Sequence, residues 1–169
     1  MKQLIIGLLV GLVAWPAFVL GYLWLGYAPV ATAAPPLPLE RTITHFALQA
    51  RIDREAPKSS PVPATPATLA AGAEIYHQNC QVCHGAADGT TSATAKGMFP
   101  PPPLLLHGKG VTDDPVGETY WKAANGIRLT GMPAYRGSLS DEQLWQVSQL
   151  LASADKLTPD VRRRVQSND

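Results

Sequence analysis

Thiols are scarce in this chain, and charge is missing from its start. Only two of the 169 residues are cysteine, three are methionine and four are histidine. Two cysteines leave a structural zinc site without its usual second pair, so histidines scattered along the chain would have to complete it. Charged residues make up 16% of the chain, and none lies between Lys2 and Glu40. With 14 basic and 13 acidic side chains the formal charge is +1, which leaves no nucleic-acid footprint in the total. No segment alternates apolar and polar residues as a half-buried strand would, and no internal repeat is visible. The chain reads as all-α.

The uncharged gap holds "LIIGLLVGLVAWPAFVLGYLWLGY", Leu4 to Tyr27. As a helix these 24 residues would extend ~36 Å, enough to cross a ~30 Å hydrocarbon core with some tilt. Tyr22, Trp24 and Tyr27 collect at the far end, where amphipathic rings favour the headgroup region. Residues 1–30 are therefore expected to be a single-pass anchor, in contact with lipid through residues 4–27. A cleaved signal peptide is the rival, with Ala31 and Ala33 as a small-x-small cleavage site. Its apolar region is usually only ~7–15 residues, and this run is longer. In either case the lone Lys2 keeps the N-terminus inside and sends the rest across the cytoplasmic membrane.

Residues 31–67 form a Pro-rich linker interrupted by a juxtamembrane helix at about 40–56, with an apolar stripe at Ile43, Phe46, Ala47 and Ala50. That stripe suits a partner, the rest of the chain or the membrane surface. "PKSSPVPATP", Pro57 to Pro66, reads as an extended, semi-rigid connection. The compact domain is expected over 68–158 and begins with a helix up to Cys80. Gly72 inside that helix points to a close helix–helix approach. A second helix has Asp114 as N-cap, Pro115 in its first turn and Gly126 just past its end. A last helix opens on a capping box, Ser140 with Gln143, flanked by Leu139 and Leu144. Its buried stripe is Leu144, Val147, Leu150 and Leu151, with Trp145 free to reach the first helix. Residues 159–169, with "RRR" at Arg162–Arg164, read as a basic, flexible tail. A domain of about ninety residues has a thin core, so something besides side chains should fill its middle.

Both cysteines fall in "HQNCQVCHGAADG", His77 to Gly89. A thioredoxin-like pair wants a βαβ surround, which is absent. Cys-x-x-Cys-His is the pattern of covalent haem attachment. There two thiols add across the two vinyl groups, and the adjacent histidine is placed to reach the iron from the same loop. That use consumes both cysteines and suits an exported domain.

With "CQVCHG" (Cys80–Gly85), "FPPPPLL" (Phe99–Leu105) and "NGIRLTGMPAY" (Asn125–Tyr135), the stretch from Thr68 to Ser153 resembles the small, all-helical monohaem c-type cytochromes in membrane-anchored bacterial form. The resemblance implies one covalent haem c, with Cys80 and Cys83 as thioether sites, His84 as proximal iron ligand and Met132 as distal ligand. It also implies a proline carbonyl, here Pro103, that accepts a hydrogen bond from the free N–H of the histidine ring. Met132 has support of its own. Met98 follows His84 by only fourteen positions, too few for an easy return to the other haem face, and suits a gap-filling role. Tyr120, Trp121 and Arg128 flank the Met132 loop and are candidates for the haem environment, with ordinary packing the alternative. His107 reads as a surface loop histidine, with sixth ligation in place of methionine the lesser alternative, while His77 and His45 read as solvent-facing and interfacial.

Histidine and methionine together leave the iron no vacant position, so the expected function is single-electron transfer, with no enzymatic activity and no small-molecule substrate. Redox proteins in or at the membrane would be the partners, on the periplasmic or extracellular side of a bacterial cytoplasmic membrane. Within 68–158, six basic and eight acidic side chains give a net of −2, against one large lysine ring as the docking device. Two other classes remain: a haem enzyme with a displaceable sixth ligand, and a haem-c subunit held in a larger membrane oxidoreductase complex.

Overall fold

The computed structural model describes residues 1–107 and 112–166. It divides into two compact units, Met1–Arg41 and Thr42–Asp169. The first is dominated by α1, Lys2–Trp24, which buries none of its residues and carries Pro16 inside. This helix is long and apolar enough to cross a membrane, properties that a signal sequence near an N-terminus shares. At its end the Tyr22 hydroxyl donates to the Tyr27 carbonyl at 2.9 Å.

The second unit takes in almost all of α2 (Glu40–Glu55) and then α3 (Pro66–Asn79), α4 (Gln81–His84), α5 (Ala93–Lys96), α6 (Val116–Asn125), α7 (Asp141–Ala152), a short 3-10 turn and α8 (Pro159–Arg164). No strand occurs among the described residues, and the fold is all-α with an apolar N-terminal helix, as the sequence indicated.

Local chemistry starts α3 and α7, the two helices at the centre of this unit. Thr65 caps α3 through its hydroxyl oxygen, which accepts from the Thr68 N–H at 3.1 Å, and Pro66 occupies the first turn, where its missing N–H is harmless. Ser140 caps α7 with the reciprocal Gln143 contact, 2.8 Å to the Ser140 N–H, a device that contributes about 1 kcal/mol. The two helices pack through Ala73, Ile75 and Tyr76 against Val147, Leu150 and Leu151, all buried. Gly72 marks their closest approach, since a Cβ there would lie 2.3 Å from the Gln146 carbonyl oxygen. A second cluster joins α6 to α7: the Tyr120 and Trp145 rings stack with centroids 4.0 Å apart, beside Ala124 and Leu144.

Four details differ from the sequence reading. Asp114 does not cap α6. Pro115 stands at the N-cap with an extended ψ of 131° and makes no side-chain cap bond, while Asp114 lies 3.7 Å from the Lys122 ammonium. The apolar stripe assigned to α2 is exposed, with Ile43 at 63% and Phe46 at 75%, and the buried position is Ile52, at 2%. The connection after α2 is docked: Gln149 Nε2 donates to the Val62 carbonyl at 2.7 Å. Nor is the C-terminal stretch a loose tail as far as residue 166. Thr158 caps α8, and Val161 and Val165 are buried in the α3–α7 cluster, because apolar groups one helical turn apart fit the groove better than water.

Candidate functional site

The thiol motif begins where α3 ends. Cys80 sits between α3 and the single turn α4; its N–H donates to the Tyr76 carbonyl at 2.8 Å, and its own carbonyl accepts from the N–H groups of Cys83 (3.1 Å) and His84 (2.9 Å). One turn thereby directs Cys80, Cys83 and His84 into a single apolar cleft. Tyr76, wholly buried, clamps the turn from below, its hydroxyl donating to the Gly85 carbonyl at 2.7 Å and the His84 carbonyl at 3.2 Å. Burial pushes the Cys80 thiol up to about 12, with the neighbouring Cys83 adding to the effect. The thiols are not joined to each other.

His84 Nδ1 lies 2.9 Å from the Pro103 carbonyl oxygen. A carbonyl can only accept, so the ring proton resides on Nδ1 and Nε2 keeps its lone pair. Burial lowers the His84 pKa, against the smaller raising effect of the Pro103 bond. A neutral imidazole with its orientation fixed from behind is the form a metal takes. Pro100, Pro101 and Pro102 continue the wall, rigid and without N–H groups that would need water.

Met132 enters the same cleft from a loop that has little regular structure. Its N–H donates to Thr130 Oγ1 at 3.0 Å and its carbonyl accepts from the Ile127 N–H at 3.1 Å. A little further on, the Tyr135 N–H reaches the Ala123 carbonyl of α6 at 3.0 Å, and the Tyr135 hydroxyl donates to the Asn79 carbonyl at the end of α3 at 2.8 Å. Met98 also lines the cleft, and its methyl packs on Gly131, where an added Cβ would lie 1.8 Å away.

Tyr120, Trp121 and Arg128 are not brought to the cleft. Tyr120 is committed to Trp145 and to the Asp141 carboxylate, Trp121 Nε1 donates to Glu55 at 3.2 Å, and Arg128 is exposed. Of the histidines, only His84 is among the lining residues. His77 pairs with Gln81 at 3.0 Å, and His107 packs beside Gly89. Sequence reasoning passed over Leu48, Thr119 and Lys122, which line the cleft, and Tyr135, which ties two of its segments together. Tyr135 alone had a visible signal, an aromatic three positions after Met132.

The lining suits a large, flat, apolar group joined through sulfur. Lys122 is the one charged residue among those described in the lining, and it is already paired with Glu118 at 2.7 Å. The Thr119 hydroxyl is buried without a hydrogen-bond partner among the described residues, a cost of about 1–3 kcal/mol that a polar edge of a bound group would relieve. No cluster of three or more metal-ligating His, Cys, Asp or Glu occurs among the described residues, so a zinc centre has no complete ligand set there.

Residues 67–151 match the family model described as "Cytochrome C oxidase, cbb3-type, subunit III". The chain is also similar to cytochrome c6 of Limnospira maxima, at 31% identity over 80 residues that take in 47% of this chain and 85% of that relative. The chain belongs to the cbb3-type subunit III family of c-type cytochrome domains. Membership implies covalent haem c and a role in electron transfer. Among solved structures, a chain of the Kuenenia stuttgartiensis reducing HAO-like protein complex aligns over 59% of this chain at 22% identity, with a TM-score of 0.45. This chain spans about half of that one, 49%.

Proposed function

We propose that this protein is a membrane-tethered single-electron carrier with one haem c, attached through Cys80 and Cys83 and ligated by His84 and Met132. The observation that carries this reading is the convergence of all four side chains on one apolar cleft, from segments about fifty residues apart in the sequence. When bound, the haem supplies a one-electron ferric/ferrous couple, which methionine ligation biases toward the ferrous state.

The residues divide the remaining work. Cys80 and Cys83 fix the group in the cleft, and Tyr76 holds their turn. His84 offers Nε2, with Pro103 keeping the ring in place. Met132 offers a soft sulfur from a loop restrained by Thr130 and Tyr135. The proline wall adds apolar lining without N–H groups, so that few protein dipoles have to reorganise when charge changes. In this reading α1 is retained in the cytoplasmic membrane of a bacterium and the haem domain lies on its outer side. Tethering confines the carrier near membrane-bound donors and acceptors and so raises their effective concentration.

The family description names a subunit of an oxidase, which favours a second reading: stable membership of a membrane complex. Size analysis in mild detergent separates the two. A free monomer supports the carrier, and co-migration with other chains supports the subunit. The primary reading is tested by a potentiometric titration of the purified full-length protein followed by absorbance. A single transition with one-electron slope is expected, with a ferrous spectrum unchanged by carbon monoxide. Rapid carbon monoxide binding to the reduced protein contradicts ligation by Met132.

A further inference from the structure

Residues 67–151 carry the family match, yet one residue of the cleft lies well before them. Leu48, on α2, lines the same cleft as His84 and Met132. We infer that α2 is a built-in part of the haem site in this chain, with Leu48 covering part of the cleft and helping to set the reduction potential. The inference rests on the proposed haem attachment.

Three anchors hold α2 where Leu48 can act. Ile52, one turn further along, is 2% exposed. Glu55, another turn on, accepts from Trp121 Nε1 at 3.2 Å and is itself held by Arg51 at 2.7 Å. Immediately after the helix, Pro57 presses on α6: a Cβ on Gly117 would lie 1.8 Å from the Pro57 carbonyl oxygen and 2.9 Å from its carbon. Only glycine tolerates that approach. Leu48, Ile52 and Glu55 recur at helical spacing on one face, while Phe46, on another, stays 75% exposed.

A side chain over the cleft acts on the couple through dielectric. The ferric form carries one more positive charge than the ferrous form, so excluding water disfavours it and raises the potential. A charge introduced in place of Leu48 acts directly: a cation disfavours the ferric form and an anion favours it.

The test uses the full-length protein and equilibrium redox titration of Leu48→Lys, Leu48→Glu, Phe46→Lys and Phe46→Glu. Leu48→Lys is expected to move the potential up and Leu48→Glu to move it down. Each shift should be about threefold to tenfold in the ferric/ferrous ratio at a fixed ambient potential, tenfold being about 59 mV for one electron. The two Phe46 substitutions should move it much less. Equal shifts at both positions, shifts of the same sign for the two Leu48 substitutions, or no shift overturn the inference. Gly117→Val gives a second reading that leaves Leu48 in place. Displacing Pro57 should speed amide hydrogen exchange across α2 and lower the potential, with the ligand-sensitive absorption bands unchanged. Exchange and potential both at wild-type values overturn the inference. Colourless wild-type protein overturns the haem assignment and this inference together, whereas pigmented variants with an unmoved potential overturn this one alone.

Discussion

The Cys80–Gly85 turn draws its backbone N–H bonds from adjacent residues, whereas the Ile127–Tyr135 loop adds to its internal bonds two that reach other helices. In the first, the backbone bonds run between neighbours, Cys80 to Tyr76 and Cys83 and His84 to Cys80, with the buried Tyr76 hydroxyl and the Ser92 hydroxyl donating to carbonyls of the turn. In the second, bonds among Ile127, Thr130 and Met132 are joined by two from Tyr135 that reach Ala123 on α6 and Asn79 on α3, the latter across 56 positions of sequence. A local motif can therefore bring both thiols and the imidazole together as soon as α3 forms. The Met132 loop, through Tyr135, is also tied to the packed positions of α3 and α6. The attachment turn should thus resist changes elsewhere in the domain, and the methionine loop should register them.

The largest effect breaks the first of these regions. Cys80→Ala together with Cys83→Ala should abolish stable pigment in the purified protein, read as loss of the visible absorption bands. Next comes the second region. Met132→Ala should keep the haem attached but open the sixth position, so that the reduced protein binds carbon monoxide and the potential falls by more than about 59 mV, a tenfold change in the couple. Met98→Leu sharpens that result, because it preserves the packing on Gly131 and should leave the spectrum as it was; the opposite pattern would exchange the roles of the two methionines. Gly72→Val pushes α3 away from the Gln146 carbonyl and should destabilise the domain by about 1–3 kcal/mol, measured by denaturant unfolding. Carbon monoxide binding should appear in this variant at lower denaturant than the loss of helix, since the Met132 loop is tied to α3 through Tyr135. The smallest effect is Tyr135→Phe. It removes one hydrogen bond, about 1 kcal/mol, and should raise the rate at which an external ligand displaces Met132 without moving the attachment turn.

What the sequence disclosed follows the same division. The Ser140 capping box and the Cys-x-x-Cys-His turn depend on neighbours and were readable, whereas α3 starts two residues earlier than expected, at Pro66 behind the Thr65 cap. The inward face of α2 was not readable. Apolar residues stand on more than one of its faces, and the choice of Leu48 and Ile52 over Ile43 and Phe46 is made by Gly117 and Trp121, more than sixty positions away. Three consecutive arginines likewise hid the pair Val161 and Val165, whose burial depends on a groove that forms only when α3 meets α7. Tyr120 and Trp121 looked like haem neighbours because they precede the methionine loop. One turns instead to Trp145 and the other to Glu55, since helical rotation sets the side that each presents.

The most direct test of covalent haem on this chain is the intact mass of the purified, full-length protein after acid–acetone extraction. Retained colour and a mass increased by one haem are expected. Colour in the organic phase, with the polypeptide at its bare mass, would contradict the account.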